Sequence, residues 1–156
     1  MSVLIQGDQI RSITLGTRVS RATAALPQTA TSTLFTISTG QILLTSIFGE
    51  VTTVIQTQAN NTKLTFDPTA AGASQDMCAV LDITADAVGT IYSITGTPAT
   101  ALQDALNFVP SNKMLAQPIV LKPGAILLDC AASNTGAVKW QCTYIPLENG
   151  ATVAAG

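Results

Sequence analysis

The chain has 156 residues, enough for one domain that can fold on its own core without a disulfide or a metal. It is 47% hydrophobic and 10% charged, against about 25% charged residues in an average globular chain, and it contains no histidine. Histidine-based acid–base chemistry is therefore excluded, and seven basic residues against nine acidic ones cannot form a broad phosphate-binding face.

Residues 1–27 stand apart. They hold Arg11, Arg18 and Arg21, every arginine in the chain, against the single acid Asp8. The apolar residues Val3, Leu4, Ile5, Ile10, Ile13 and Leu15 are too sparse there for a core of their own. Two readings stay open: a first edge strand of the same domain, or an arm that lies on a neighbouring subunit or acidic surface through Arg11, Arg18 and Arg21. The start also lacks the basic and apolar regions of a signal peptide, so none is expected.

From residue 28 onward the pattern is short strands and turns, spaced about 8–12 residues apart. Leu34–Ser38 is followed by the turn signal Thr39-Gly40. Ile42–Phe48 and Val51–Gln58 read as two strands flanking a Gly49-Glu50 turn. Alternation in the second puts Val51, Thr53, Ile55 and Thr57 on a core face, and makes Thr52, Val54, Gln56 and Gln58 candidates for a subunit interface. Asn60-Asn61 reads as a turn, Lys63–Phe66 as a strand, and Thr69–Gln75 as a loop. Met77–Ile83 and Thr90–Ile94 follow as strands around a turn at Thr84–Gly89.

Thr97–Asn107 is ambiguous between one short helix and an irregular or extended segment. Thr97-Pro98 and the spacing of Thr100 and Gln103 resemble a helix start. In Met114–Leu121, Pro118 points to an edge strand. Ala125–Ala131 is the next strand. Ala137–Pro146 is the clearest one, with Val138, Trp140, Cys142 and Tyr144 alternating on a core face. Residues 151–156 read as a flexible Gly/Ala tail, which leaves residues 28–150 as the β domain. Gly40-Gln-Ile-Leu-Leu-Thr is echoed at Gly124-Ala-Ile-Leu-Leu-Asp. The expected fold is all-β: an antiparallel barrel or a jelly-roll-like sandwich with an extended N-terminal arm and at most one short helix.

Candidate chemistry is thin. Cys78, Cys130 and Cys142 form no CxxC and cannot all pair; buried free thiols are expected, with a Cys130–Cys142 bridge as the alternative. Glu50, Asp82, Asp86 and Asp129 are the carboxylates in or beside strands, and Lys63, Lys113, Lys122 and Lys139 the candidate bases, but none lies in a catalytic motif. Tyr92, Trp140 and Tyr144 could form a sugar platform or pack in the core. Asn60-Asn61-Thr62 is a glycosylation sequon. No run approaches the roughly 20 apolar residues of a membrane helix. No enzyme activity, metal or cofactor is expected, nor is a nucleic-acid or membrane partner.

GQILLTSIFGEVTTVIQTQANNTKLTFDP, the series Cys78–Tyr92 and the ending TGAVKWQCTYIPLENGATVAAG resemble small virion structural proteins of tailed bacteriophages. Within that class the chain is most similar to head decoration (cement) proteins, a likeness that covers residues 24 to 154. The resemblance implies a homotrimer, made in the host cytoplasm, that binds the major capsid protein on the outer surface of the phage head and stabilises it, with no catalytic residues. A tail, baseplate or fibre component, and a carbohydrate-binding jelly roll for host attachment, remain alternatives.

Overall fold

The computed structural model describes residues 7–106 and 115–156. Expectations that fall on residues 1–6 and 107–114, Lys113 among them, lie outside these. The chain opens with helix α1 (Gly7–Leu15) and continues through β1 (Thr17–Ser20), β2 (Ala24–Ala25), β3 (Thr31–Ser38), β4 (Ile42–Thr53) and β5 (Asn61–Pro68). Next come β6 (Gln75–Asp76), β7 (Leu81–Asp82), β8 (Ile91–Ser93), β9 (Gln103–Ala105) and β10 (Ile119–Leu121). β11 (Gly124–Cys130), β12 (Ala137–Pro146) and β13 (Thr152–Ala155) complete it.

The strands form two antiparallel sheets packed face to face as a β-sandwich, not a closed barrel. One sheet runs β1-β12-β4-β8-β9, with β2 also on β12 and β10 also on β4. The other runs β13-β3-β11-β5-β6, with β7 also on β5. The echoed runs Ile42–Leu44 and Ile126–Leu128 thus belong to β4 and β11, the central strands of the two sheets, and both alternate buried and half-buried.

β12 forms over the expected span, and its inward set Val138, Trp140, Cys142 and Tyr144 is buried. These share one buried apolar cluster with Leu34, Ile37, Leu64, Ile126 and Leu128 of the opposite sheet. β4 differs from expectation. Gly49-Glu50 is not a turn, and a single strand runs from Ile42 to Thr53. The reason is tertiary. Gly49 pairs with Trp140 on one side and Tyr92 on the other. A Cβ on Gly49 would stand 2.8 Å from the Trp140 ring. The glycine is a seat for the indole rather than a bend.

Two irregularities in β4 break the simple alternation. Its pairing with β12 shifts between Thr143 and Tyr144, and again between Ala137 and Val138. Thr45 and Thr52 are the extra residues at these β-bulges. Each hydroxyl donates to a β12 carbonyl beside its bulge: Thr45 to Thr143 O at 3.1 Å, and Thr52 to Ala137 O at 3.2 Å. On either side of the second bulge Val51 and Ile55 are buried, whereas Thr53 and Thr57 are exposed. A third shift, opposite Ile126 and Leu127, makes Leu34 the extra residue of β3 and lets Leu34 and Phe35 both face inward.

The two ends of the chain also differ from expectation. Residues 17–25 are built into the first sheet: β1 pairs with β12 from Thr17↔Tyr144 to Ser20↔Gln141, β2 follows at Ala24 and Ala25, and Leu26 is buried. Only α1 stands outside the strands of this segment. The flexible tail is a strand, because Ala151 and Val153 are buried and β13 pairs with β3 along Thr152–Ala155. Small side chains hid it, not a lack of pairing. Among residues 97–106 there is no helix; a turn at 98–99 leads into a bridge at Ala101 and into β9.

Because the indole lies directly on Gly49, Gly49→Ala is expected to lower unfolding stability by about 1–3 kcal/mol through overpacking. A urea titration followed by Trp140 emission measures it. An unchanged midpoint would show that the ring does not need the bare strand.

Candidate functional site

The candidate residues fall into three places. The first is the centre of the sandwich. Trp140, Tyr92 and Tyr144 are all buried, so these aromatics form core and not an exposed sugar platform. Tyr92 and Trp140 lie near parallel, with ring centroids 6.3 Å apart. The Tyr92 hydroxyl donates to Asp86 Oδ2, and burial together with that bond pushes its pKa up. Burial also raises Asp86 above the ordinary carboxylate range, partly offset by the tyrosine hydroxyl. The pair anchors the 83–89 loop to β8: Asp86 O accepts the Ile55 amide, and Ile83 O the Asp86 amide.

Cys78, Cys130 and Cys142 are buried and free. The alternative Cys130–Cys142 bridge is not formed, because β11 and β12 belong to opposite sheets and not to one hairpin. Burial raises all three thiols, Cys142 to about 12. Such thiols are poor nucleophiles and serve as small apolar side chains.

The second place is a polar clasp at one end of the sandwich. Gln56 joins it through its main chain and its side chain, Gln58 through its main chain. The Gln56 amide donates to Thr135 O, and its Oε1 accepts the Thr135 amide. Asn134 is buried and donates Nδ2 to Gln58 O at 2.7 Å. Asp82, exposed at the end of β7, accepts from the Asn60 amide and from the Thr84 amide and hydroxyl. The Thr84 hydroxyl, then the Asn60 amide, hold it below the ordinary carboxylate range. Asn60 is buried rather than at a turn tip, and its Oδ1 accepts the Ala132 amide, so the sequon's acceptor is closed to a glycan. Of the four interface candidates, Thr52 and Gln56 have side-chain partners within the chain, Gln58 is bonded through its main chain alone and is exposed, and Val54 is 55% exposed.

The third place is the N-terminal segment. Arg21 turns back onto the body: Nε donates to Gly156 O at 3.1 Å and Nη2 lies 3.5 Å from Ser32 Oγ. It ties β1 to β13 across the sandwich edge. Arg18 is exposed on β1, and Arg11 lies in α1. Arg21 is thus used within the fold, whereas Arg18 faces solvent. Ile10, Ile13 and Leu15 of α1 are 50%, 69% and 56% exposed. The helix is fastened at its C-terminal end, where Leu15 O lies 3.3 Å from Thr45 Oγ1 and the Gly16 amide donates to Ser12 O. Gly16 takes φ +90°, and a Cβ there would stand 2.5 Å from Tyr144 O. Gly16 directly after an Ile10/Ile13 spacing was the legible sign of this helix end.

The remaining charged candidates are scattered. Lys63 pairs with Asp76 at 2.7 Å and faces Asp129 across β11. Glu50 pairs in register with Lys139. Among the described residues no group of three or more Cys, Asp or Glu could hold a metal. No helix among the described residues is long and apolar enough to cross a membrane. No family model, curated protein or solved structure matches the chain.

Two outcomes follow. In the native state none of the three thiols should react with a disulfide reagent, while all three react in denaturant; fast native labelling would contradict their burial. Asp82 has a folded pKa below its unfolded one. The stability it contributes is present above the unfolded value and fades as pH falls through the folded one. Asp86 has the opposite sign: its raised folded pKa makes stability decline as pH climbs from the unfolded value to the folded one. Asp82→Asn should therefore flatten the acid-side loss of stability relative to wild type, and Asp86→Asn should not. Urea midpoints measured across the acid range check both.

Proposed function

We propose that the chain is a non-enzymatic virion structural protein, a head decoration protein that binds the major capsid protein as a homotrimer. One observation supports this reading more than any other. The segment ahead of the sandwich carries exposed apolar side chains, Ile10 and Ile13 one turn apart and Leu15 at the helix end, with exposed Arg18 three residues further on. A helix that spends three large apolar side chains on solvent fits a contact with another protein. The chain's low charge suits dense packing of copies on a lattice. The phage-like phrases of the sequence point the same way. The buried aromatics weigh against the carbohydrate-binding alternative. A tail or fibre position of the same virion is separated from the head by copy number.

The contact is assigned to α1 and Arg18, not to the whole of residues 1–27, since residues 17–25 are needed by the first sheet. Replacing Ile10 and Ile13 by serine, or removing residues 1–16, should abolish binding to undecorated heads while far-ultraviolet circular dichroism of the sandwich is kept. Wild-type occupancy by both variants would sink the assignment.

A further inference from the structure

The turn that delivers β13 holds chemistry that nothing above uses. The Ala151 amide donates to Glu148 O at 3.1 Å, and Gly150 has φ +83°, the geometry of a type II turn with Asn149 and Gly150 at its centre. Both residues are exposed. Neither the Asn149 side chain nor the Gly150 amide has a hydrogen-bond partner among the described residues. A Cβ placed on Gly150 would find only Thr39 Cγ2, at 3.6 Å. Glycine puts no side chain in the way of its own nitrogen.

We propose that Asn149 is a site of self-modification through Gly150. The Gly150 nitrogen gives its proton to hydroxide and attacks Asn149 Cγ. The side-chain nitrogen leaves as ammonia, and a five-membered succinimide forms. Water then adds to either ring carbonyl and leaves aspartate or isoaspartate. No oxidant or cofactor enters, and the co-reactant is solvent.

The fold makes the site selective. Asn60 and Asn134 are buried and hydrogen-bonded, and Asn134 is followed by the β-branched Thr135. Asn61 is exposed but lies in β5, paired with Asp82 and followed by Thr62. Asn107 and Asn112 lie outside the described residues. The product places a second carboxylate beside Glu148, whose Oε2 accepts the Gln41 amide. The isoaspartyl form also adds a backbone carbon to the turn that sets β13 on β3.

The full chain is held folded at mildly alkaline pH and mapped with trypsin. Cleavage after Lys139 gives Trp140–Gly156, in which Asn149 is the one asparagine. A synthetic peptide of the same residues serves as the clock. The expected result is a deamidation mass shift in this peptide ahead of every other asparagine-containing peptide, as a mixture of aspartyl and isoaspartyl forms. Asn149→Gln should hold the peptide at its parent mass. The proposal is overturned if the synthetic peptide converts while the folded chain does not, if another asparagine converts first, or if aspartate forms with no isoaspartate.

Discussion

The seat of Trp140 on Gly49 is the constraint on which most of this sandwich depends. An indole laid flat across a neighbouring strand requires a residue without a Cβ beneath it, and β4 supplies one at its centre. Tyr92 closes the other side, so β12, β4 and β8 are locked in register by one row: Trp140, Gly49, Tyr92. A slip of one residue would drive a Cβ into the ring and turn every buried side chain outward. The lock extends into the loops. Tyr92 holds Asp86, Asp86 O holds the Ile55 amide, and the segment after Ile55 enters the polar clasp with Asn134. A packing choice in the core thereby sets the geometry of one end of the molecule.

Bulges are the second device, and they let a strand of twelve residues serve three partners, β12 along one edge and β8 and β10 on the other. A long strand twists, and the extra residues at Thr45 and Thr52 absorb the mismatch with β12. Threonine suits both positions. It favours extended backbone, and its hydroxyl reaches a β12 carbonyl beside the bulge. An unmet buried carbonyl would cost about 1–3 kcal/mol, so the hydroxyl is worth more there than on an open surface.

What was legible in the sequence divides along this line. β12 could be read residue by residue, because its alternation is unbroken and its inward residues are large. All-β architecture was legible for the same reason, and Pro118 sits just ahead of edge strand β10 as its missing amide requires. Gly49-Glu50 misled because a local turn signal and a tertiary seat are the same letter: only the indole across the ladder tells them apart. The face assigned to Val51, Thr53, Ile55 and Thr57 failed at its threonines, since strict period-two reading does not survive a bulge and the strand ends at Thr53. β13 was missed because alanine carries little periodic contrast, although Val153 and Ala151 are buried. α1 was missed because its apolar residues face out, so nothing in the core demanded them.

That last failure bears on function. Burial normally explains apolar spacing, and where it does not, the spacing needs another cause. The uncharged polar side chains after β4 first suggested a subunit interface at Thr52, Val54, Gln56 and Gln58. The Thr52 hydroxyl and the Gln56 side-chain carbonyl prove to be tied within the chain, and a side chain that satisfies its own fold has little left to offer a partner. Ile10 and Ile13 are in the opposite position: they contribute nothing visible to the sandwich and pay for solvent exposure on a helix anchored at one end. Arg21, by contrast, is spent on closing β1 against β13. Physical reasoning therefore moves the candidate contact from a charged arm to a short apolar helix followed by Arg18, and makes shape and apolar area, rather than ion pairing, the basis of any binding there.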